Sequence, residues 1–312
     1  MSNFNEISYM SANGRTNIYG RIWLPEGKPK ATVQIALGIA EHCVRYDGFC
    51  AFLRDNGFAV YINDHLGHGK SIYDETELGF FDYKDGWMKT VEDMHTLFVM
   101  SVHDFPDVPH VIFGHSMGSF LTRTYLAEHS NDFDGAVICG TSHMPRTLVK
   151  SGKALASALA AVSPKKRSKF LENMAFGSYN KCFEPTRTSY DWLTRDEAVI
   201  DRYIEDPLCG FISTTRLFAD LMTGLDFITD SKNIDKINKD IPVFFISGSM
   251  DPVGENGKGV QRAYAYFRAA GIKDVSLKLY PDDRHEILNE LDKDEVYADI
   301  LSWINEKVLI GG

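Results

Sequence analysis

The chain has 312 residues, with 33 Lys and Arg against 43 Asp and Glu and a formal net charge of −10. Hydrophobic residues make up 44% and charged residues 24%, which excludes extended disorder and suits one large domain, a domain with an insertion, or two domains. The acidic balance argues against a nucleic-acid binder, and the longest apolar runs fall well short of the ~20 residues a membrane span needs. Five cysteines (Cys43, Cys50, Cys139, Cys182, Cys209) form no metal-like or redox-like pair, and Met1 to Ser11 holds no signal-peptide core. The expectation is a cytoplasmic protein with reduced thiols.

Ile18, Gly20, Ile22 and Leu24 alternate on one side of a first strand, and Pro25, Gly27 and Pro29 punctuate the turn after it. Ala31 to Leu37 predicts a second strand, ending at Gly38. Tyr46 to Asn56 has helical spacing and closes at Gly57. Phe58 to Asn63 predicts a strand, Trp87 to Val102 a helix, Val111 to Phe113 a short strand core, Met117 to His129 a helix and Asp134 to Gly140 a strand. This alternation implies a parallel sheet covered on both faces. It fails between Pro145 and Asp240, where helical stretches and clustered charges replace buried strands. It resumes with strands at Pro242 to Ser247 and Val275 to Tyr280 and with helices at Gly259 to Ala270 and Glu295 to Val308. The predicted organisation is an α/β core (residues 1–144 and 239–312) interrupted by a helical cap (145–238).

The strongest chemical signal is Gly114-His115-Ser116-Met117-Gly118, placed where an apolar strand meets a helix. A serine there sits on a tight, strained turn with its hydroxyl above the carboxyl edge of the sheet, and the flanking glycines let the backbone turn and pack closely. A serine hydroxyl needs a base, and the base needs a carboxylate to fix its tautomer. Of ten histidines only His129, His143 and His285 follow Ser116, and His285 lies after the last strand, where the order Ser, acid, His places the base. Asp251 ends the preceding strand and is the predicted acid. Glu255 is its competitor, and Asp282 and Asp283 lie too near His285 on one loop. The oxyanion requires two backbone N–H groups, assigned by position to Met117 and Ile39.

These landmarks, with Glu41-His42, Arg45-Tyr46 and the run from Asp64 to Ser71, resemble the α/β-hydrolase superfamily and, within it, the monoacylglycerol lipase and lysophospholipase-like serine hydrolases. The resemblance implies a mostly parallel eight-stranded sheet with helices on both faces and a helical cap. It implies cleavage of a carboxylic ester, a lipid monoester first, through an acyl-serine intermediate and without a cofactor. Esterase activity on small non-lipid esters is one alternative, and a non-catalytic ligand receptor on the same scaffold is another. Two residues depart from the family pattern. Leu37 replaces a histidine, so the oxyanion loop is expected to be held differently, and Ser119 replaces a glycine, with a small packing change expected.

Other patterns carry less. Gly69-Lys70-Ser71 lacks the first glycine of a phosphate loop, His285-Glu286 lacks the second histidine of a zinc-protease helix, and His65 and His68 match a structural turn better than a metal site. In the cap, Leu148, Val149, Leu155, Leu159 and Val162 recur at helical spacing, with Lys165, Lys166 and Arg167 just beyond. That stripe is read as packing for the cap's own core, or as a lid that lines the acyl tunnel and touches a membrane surface weakly.

Overall fold

The computed structural model describes residues 4–309. Strands β1 (Asn5–Met10) and β2 (Asn17–Trp23) open the chain as an antiparallel hairpin. β3 (Thr32–Ala36), β4 (Ala59–Asn63), β5 (His110–His115), β6 (Gly135–Cys139) and β7 (Val243–Gly248) are buried at every position, as strands covered on both faces must be. β8 (Val275–Tyr280) is half-buried at the far edge. The eight-stranded sheet runs β1-β2-β4-β3-β5-β6-β7-β8, parallel from β4 to β8, with β2 antiparallel to β4.

The helices sort by which face their apolar stripe covers. α1 (Asp47–Asp55) buries Phe49, Cys50 and Leu53 on one face, where the last long helix also packs. α2 (Gly86–Asp104) and α3 (Met117–Glu128) cover the other face through Trp87, Met94, Leu121 and Tyr125. Five helices lie between β6 and β7: α4 (Arg146–Val162), α5 (Lys169–Phe176), α6 (Glu197–Glu205), α7 (Thr215–Ile228) and α8 (Ser231–Ile234). α9 (Lys258–Ala269) then joins α2 and α3, and α10 (Lys293–Ile304) joins α1. No helix among the described residues is long and apolar enough to cross a membrane.

The inserted helices are not a separate body. α7 sends Leu217, Leu221, Leu225 and Ile228 into the same core as α2 and α3. Gly224 lies so close to the Trp87 indole that a Cβ there would collide with it. A small cluster of the insertion's own (Ala156, Ala160, Leu171, Phe218, Ala219) sits on the outer side of α7.

Elements differ from the sequence expectation mainly at the ends. β1 shows no apolar run because it is an edge strand, exposed or half-buried along its length. The helix expected from Tyr46 begins instead as a 3-10 turn, Cys43–Tyr46, and the last helix ends in a π turn, Asn305–Leu309. β3 and β5 are neighbours, and the chain runs from β3 to β4 on one side of the pair and from β5 to β6 on the other. The crevice outside the carboxyl ends of β3 and β5 is where doubly wound sheets bind their ligands.

The hairpin is pinned to the core by a buried acid. Asp93 on α2 accepts hydrogen bonds from Ala12 N at 2.6 Å and Ser11 Oγ at 2.8 Å. Burial pushes its carboxyl up to about 7 despite those bonds. Because the folded value exceeds the unfolded one, stability is highest below about pH 4 on this account and falls as the pH rises to about 7. Asp93→Asn should remove that decline, with a gain of up to about 4 kcal/mol at pH 8 over the wild type, measured by urea unfolding across pH 4 to 8.

Candidate active site

Ser116 occupies a conformation that side chains rarely adopt, with φ 54° and ψ −121°, between β5 and α3. Two glycines make that turn possible. A Cβ on Gly114 would run into Gly118 and Thr122, and a Cβ on Gly118 would run into the Ala36 and Leu37 carbonyls of β3 and the loop beyond it. The turn is held by Ser116 N–H to Cys139 O at 3.0 Å and by Ser119 N–H to Ser116 O at 2.9 Å. Ser119 fits its place without a glycine, since its buried hydroxyl donates to Ser116 O at 2.6 Å.

Ser116 and His285 line one cavity. His285 Nδ1 lies 3.0 Å from Asp251 Oδ1, and both side chains are buried. Asp251 also accepts from Ser247 Oγ at 3.0 Å and Val253 N at 2.9 Å. Burial opposes its charge, yet His285 and these donors hold its carboxyl below the usual range. The competitors stand elsewhere: Glu255 is exposed and paired with Arg262, and Asp283 is paired with Arg195. His129 stacks on His95 and His143 on Tyr266, both away from Ser116.

Ile39 follows β3 and faces the same cavity, while Met117 is the first residue of α3, whose opening N–H groups have no partner within the helix. Leu37 is fully buried among apolar residues, so the loop is held by another device. That device is Glu41, which neither spacing nor periodicity singled out for this role. Glu41 Oε1 accepts from Gly38 N at 2.5 Å and Tyr46 Oη at 2.8 Å, and Oε2 accepts from Arg45 Nη1 at 2.7 Å. Burial opposes ionisation of Glu41, but His115 and Arg45 outweigh it and hold the carboxyl well below its ordinary value. His115 responds in kind: burial disfavours its charge, and Glu41 more than restores it. Arg45 also reaches Glu286, next to His285, with bonds of 2.7 and 2.6 Å. One buried network therefore links the loop after β3 to the loop after β8.

The turn after β4 supports the network from below. Asp64 accepts from Cys43 N at 2.7 Å and Lys70 N at 2.8 Å. Burial lowers His65 to about 3 and His68 to about 4, so both imidazoles are neutral packing groups.

Two cavities of opposite character meet at Ser116. One, about 330 Å³, is the more polar of the two, with Glu172, Asn180, Tyr190 and Glu286 on its walls beside apolar Ile39, Phe176 and Leu193. The other, about 220 Å³, is walled by Phe120, Met144, Val149, Phe218, Met222 and Leu225, among others. α4 faces the apolar cavity with Leu148, Val149, Gly152 and Ala156. The expected stripe is thus rotated: Leu155 and Val162 point outward, 37% and 84% exposed. Gly152, which a count of apolar side chains passes over, lines the cavity beside Met222.

An eight-stranded, mostly parallel sheet with a serine on the strained turn after its central strand defines an α/β-hydrolase fold of the monoacylglycerol lipase-like kind. The chain belongs to the Hydrolase_4 family, described as serine aminopeptidase, S33, whose profile matches residues 27–292. It is 26% identical to the monoglyceride lipase of Mus musculus over 95% of this chain and 89% of that one. It is 28% identical to the monoacylglycerol lipase of Mycolicibacterium smegmatis over 96% of both. Among solved structures, a thermostable carboxyl esterase from Bacillus coagulans in complex with glycerol superposes with a TM-score of 0.89 at 32% identity, covering 99% of this chain and 100% of that one.

Gly118→Ala tests how closely the turn is built. The added methyl meets two backbone carbonyls that cannot swing away, so the protein should lose about 3 kcal/mol of stability or fail to fold, as read by chemical denaturation.

Proposed function

We propose that the protein cleaves carboxylic esters of lipid monoesters, of the monoacylglycerol or lysophospholipid type, through an acyl-serine intermediate. The observation that carries this reading is the strained Ser116 sharing a cavity with a His285 that is bonded to the buried Asp251. Ser116 Oγ attacks the ester carbonyl as His285 Nε2 takes its proton. Asp251 fixes the proton on Nδ1 and stabilises the imidazolium. The Ile39 and Met117 amides stabilise the oxyanion. His285 then returns the proton to the departing alcohol and activates the water that frees the acid.

The two cavities divide the substrate. The apolar one suits an acyl chain, and the polar one suits an alcohol rich in hydroxyl groups. The monoglyceride lipase relatives and the carboxyl esterase neighbour support an ester as the substrate. Residues 145–238 form the cap in this reading. The exposed side chains of Leu148, Leu155, Val162, Phe170 and Met174 suit weak contact with a membrane surface. Five free thiols, four of them buried, suit a cytoplasmic setting.

A fluorophosphonate should label Ser116 alone, seen as a single adduct by intact-mass and peptide analysis. Asp251→Asn should keep the fold and lower turnover by about three to four powers of ten, whereas Glu255→Gln should cost far less. Labelling that persists in Ser116→Ala, or the reverse ranking of the two acid variants, would show that the roles are wrongly assigned.

Chain selection is tested within α4. Gly152→Leu improves helix propensity, and its Cβ comes nearest to the flexible Met222 side chain, with Sδ at 3.1 Å. It should spare hydrolysis of an acetyl ester and reduce that of a long-chain monoester about tenfold, because the added side chain fills the apolar cavity.

A further inference from the structure

The oxyanion loop is tied to the insertion at a second place. Ala40, with φ 56°, presents its carbonyl to Gly210 N at 2.9 Å and to Tyr203 Oη at 3.1 Å. Two residues further on, His42 Nε2 lies 2.8 Å from Asp206 Oδ2. Asp206 closes a short turn, accepting from Leu208 N at 2.9 Å through its side chain and from Cys209 N at 3.0 Å through its carbonyl. That turn brings Cys209 Sγ beside the pair. One ring nitrogen of His42, one carboxylate oxygen of Asp206 and the Cys209 sulfur all lie within 4.8 Å of one another.

Nitrogen, oxygen and thiolate sulfur are the donors that zinc selects. A tetrahedral zinc ion with bonds of about 2.0–2.3 Å holds its donors roughly 3.3–3.7 Å apart. A contraction of about an ångström would close the set. His42, Asp206 and Cys209 also line a cavity of about 240 Å³, with Arg45, Arg202 and Tyr203 on its other walls, which leaves space for a water as fourth ligand. Arg45 does not oppose a cation there with its full charge, since Glu41 and Glu286 are both paired with it.

The other clusters of possible ligands are less suitable. His95 and His129 are stacked 4.1 Å apart with only 12° between their planes, so one ion cannot lie in the plane of both rings. Asp283, Glu290 and Asp292 already surround the Arg195 guanidinium.

We propose that His42, Asp206 and Cys209 form a zinc site that draws the oxyanion loop, whose Ile39 amide lies three residues before His42, toward the insertion and thereby slows ester hydrolysis when occupied. Binding replaces the thiol proton: the S–H bond breaks, the proton passes to solvent, and the sulfur pair forms the bond to Zn2+. Burial raises the Cys209 thiol, so the metal must drive that ionisation. His42 exchanges its contact with Asp206 for the ion, which a neutral imidazole carrying its single proton on Nδ1 binds through Nε2. The binding claim stands on these three residues alone, while the effect on hydrolysis rests on the ester-hydrolase reading above.

Co2+ serves as the spectroscopic probe, with the exposed thiol of Cys182 removed by Cys182→Ser. Metal-free protein of that background should take up a single equivalent of Co2+ and develop thiolate-to-metal charge transfer in the near ultraviolet together with intense visible bands of four-coordinate cobalt. Zn2+ should abolish both. Adding Cys209→Ser should remove the charge-transfer band and weaken Zn2+ binding about a hundredfold, and His42→Asn should weaken it on the same scale. A charge-transfer band that survives Cys209→Ser, or six-coordinate Co2+ with no thiolate signature, overturns the site. In the Cys182→Ser background Zn2+ should slow hydrolysis of a soluble short-chain ester, and Cys209→Ser should remove that inhibition. Cobalt binding without inhibition by Zn2+ overturns the effect on hydrolysis. Absence of hydrolysis in the metal-free protein overturns the ester-hydrolase reading, and the spectra still decide the site.

Discussion

The arrangement of the site depends on one buried carboxylate. Glu41 takes the Gly38 amide, the Tyr46 hydroxyl and the Arg45 guanidinium at once, and its charge also sustains that of His115 behind Ser116. A buried carboxylate with a single donor would be costly, but here donors surround it and the desolvation is offset. The turn after β3, the start of α1 and the loop carrying His285 share this anchor through Arg45 and Glu286. Nothing on either loop can shift far without leaving a buried charge unpaired.

The same constraint explains why part of the insertion is rigidly attached. Glu286 N–H donates to Leu193 O at 2.7 Å, and Trp192 lies against His285 with ring centroids 5.2 Å apart. Arg195 reaches Asp283, Glu290 and Asp292, and Tyr203 sits on Arg45. The stretch from Trp192 to Gly210 is therefore bonded to the loops after β3 and β8, whereas α4 rests on α7 through apolar contacts and surface ion pairs such as Lys153 to Asp226. The insertion has a fixed half and a half held by weaker forces.

Much of this was legible in the sequence because it rests on local signals. Buried runs ending in Gly38, Asp64 and Gly114 marked β3, β4 and β5, and the glycines around Ser116 marked the turn. Chain order together with placement after the last two strands selected His285 and Asp251, which the structure brings within hydrogen-bond distance of each other. What escaped depends on contacts between distant residues. Glu41 and Glu286 are 245 positions apart and meet only through Arg45. β1 lacked periodicity because an edge strand has little to bury. The cavity face of α4 was misjudged because hydrophobic spacing counts side chains, and a glycine that lines the cavity has none to count.

The meeting of two unlike cavities at Ser116 also orders events in time. In the proposed reaction the acyl chain stays anchored in its apolar cavity after the first bond is cut, while the alcohol departs from the polar one. Water for the second step then occupies the space the alcohol has vacated. Any small hydroxyl compound that fits between Glu172 and Trp192 competes for that space, so the acyl-enzyme becomes a branch point between hydrolysis and transfer to another alcohol. The ratio of free acid to new ester is set by how the polar cavity fills, independently of how tightly the chain is held.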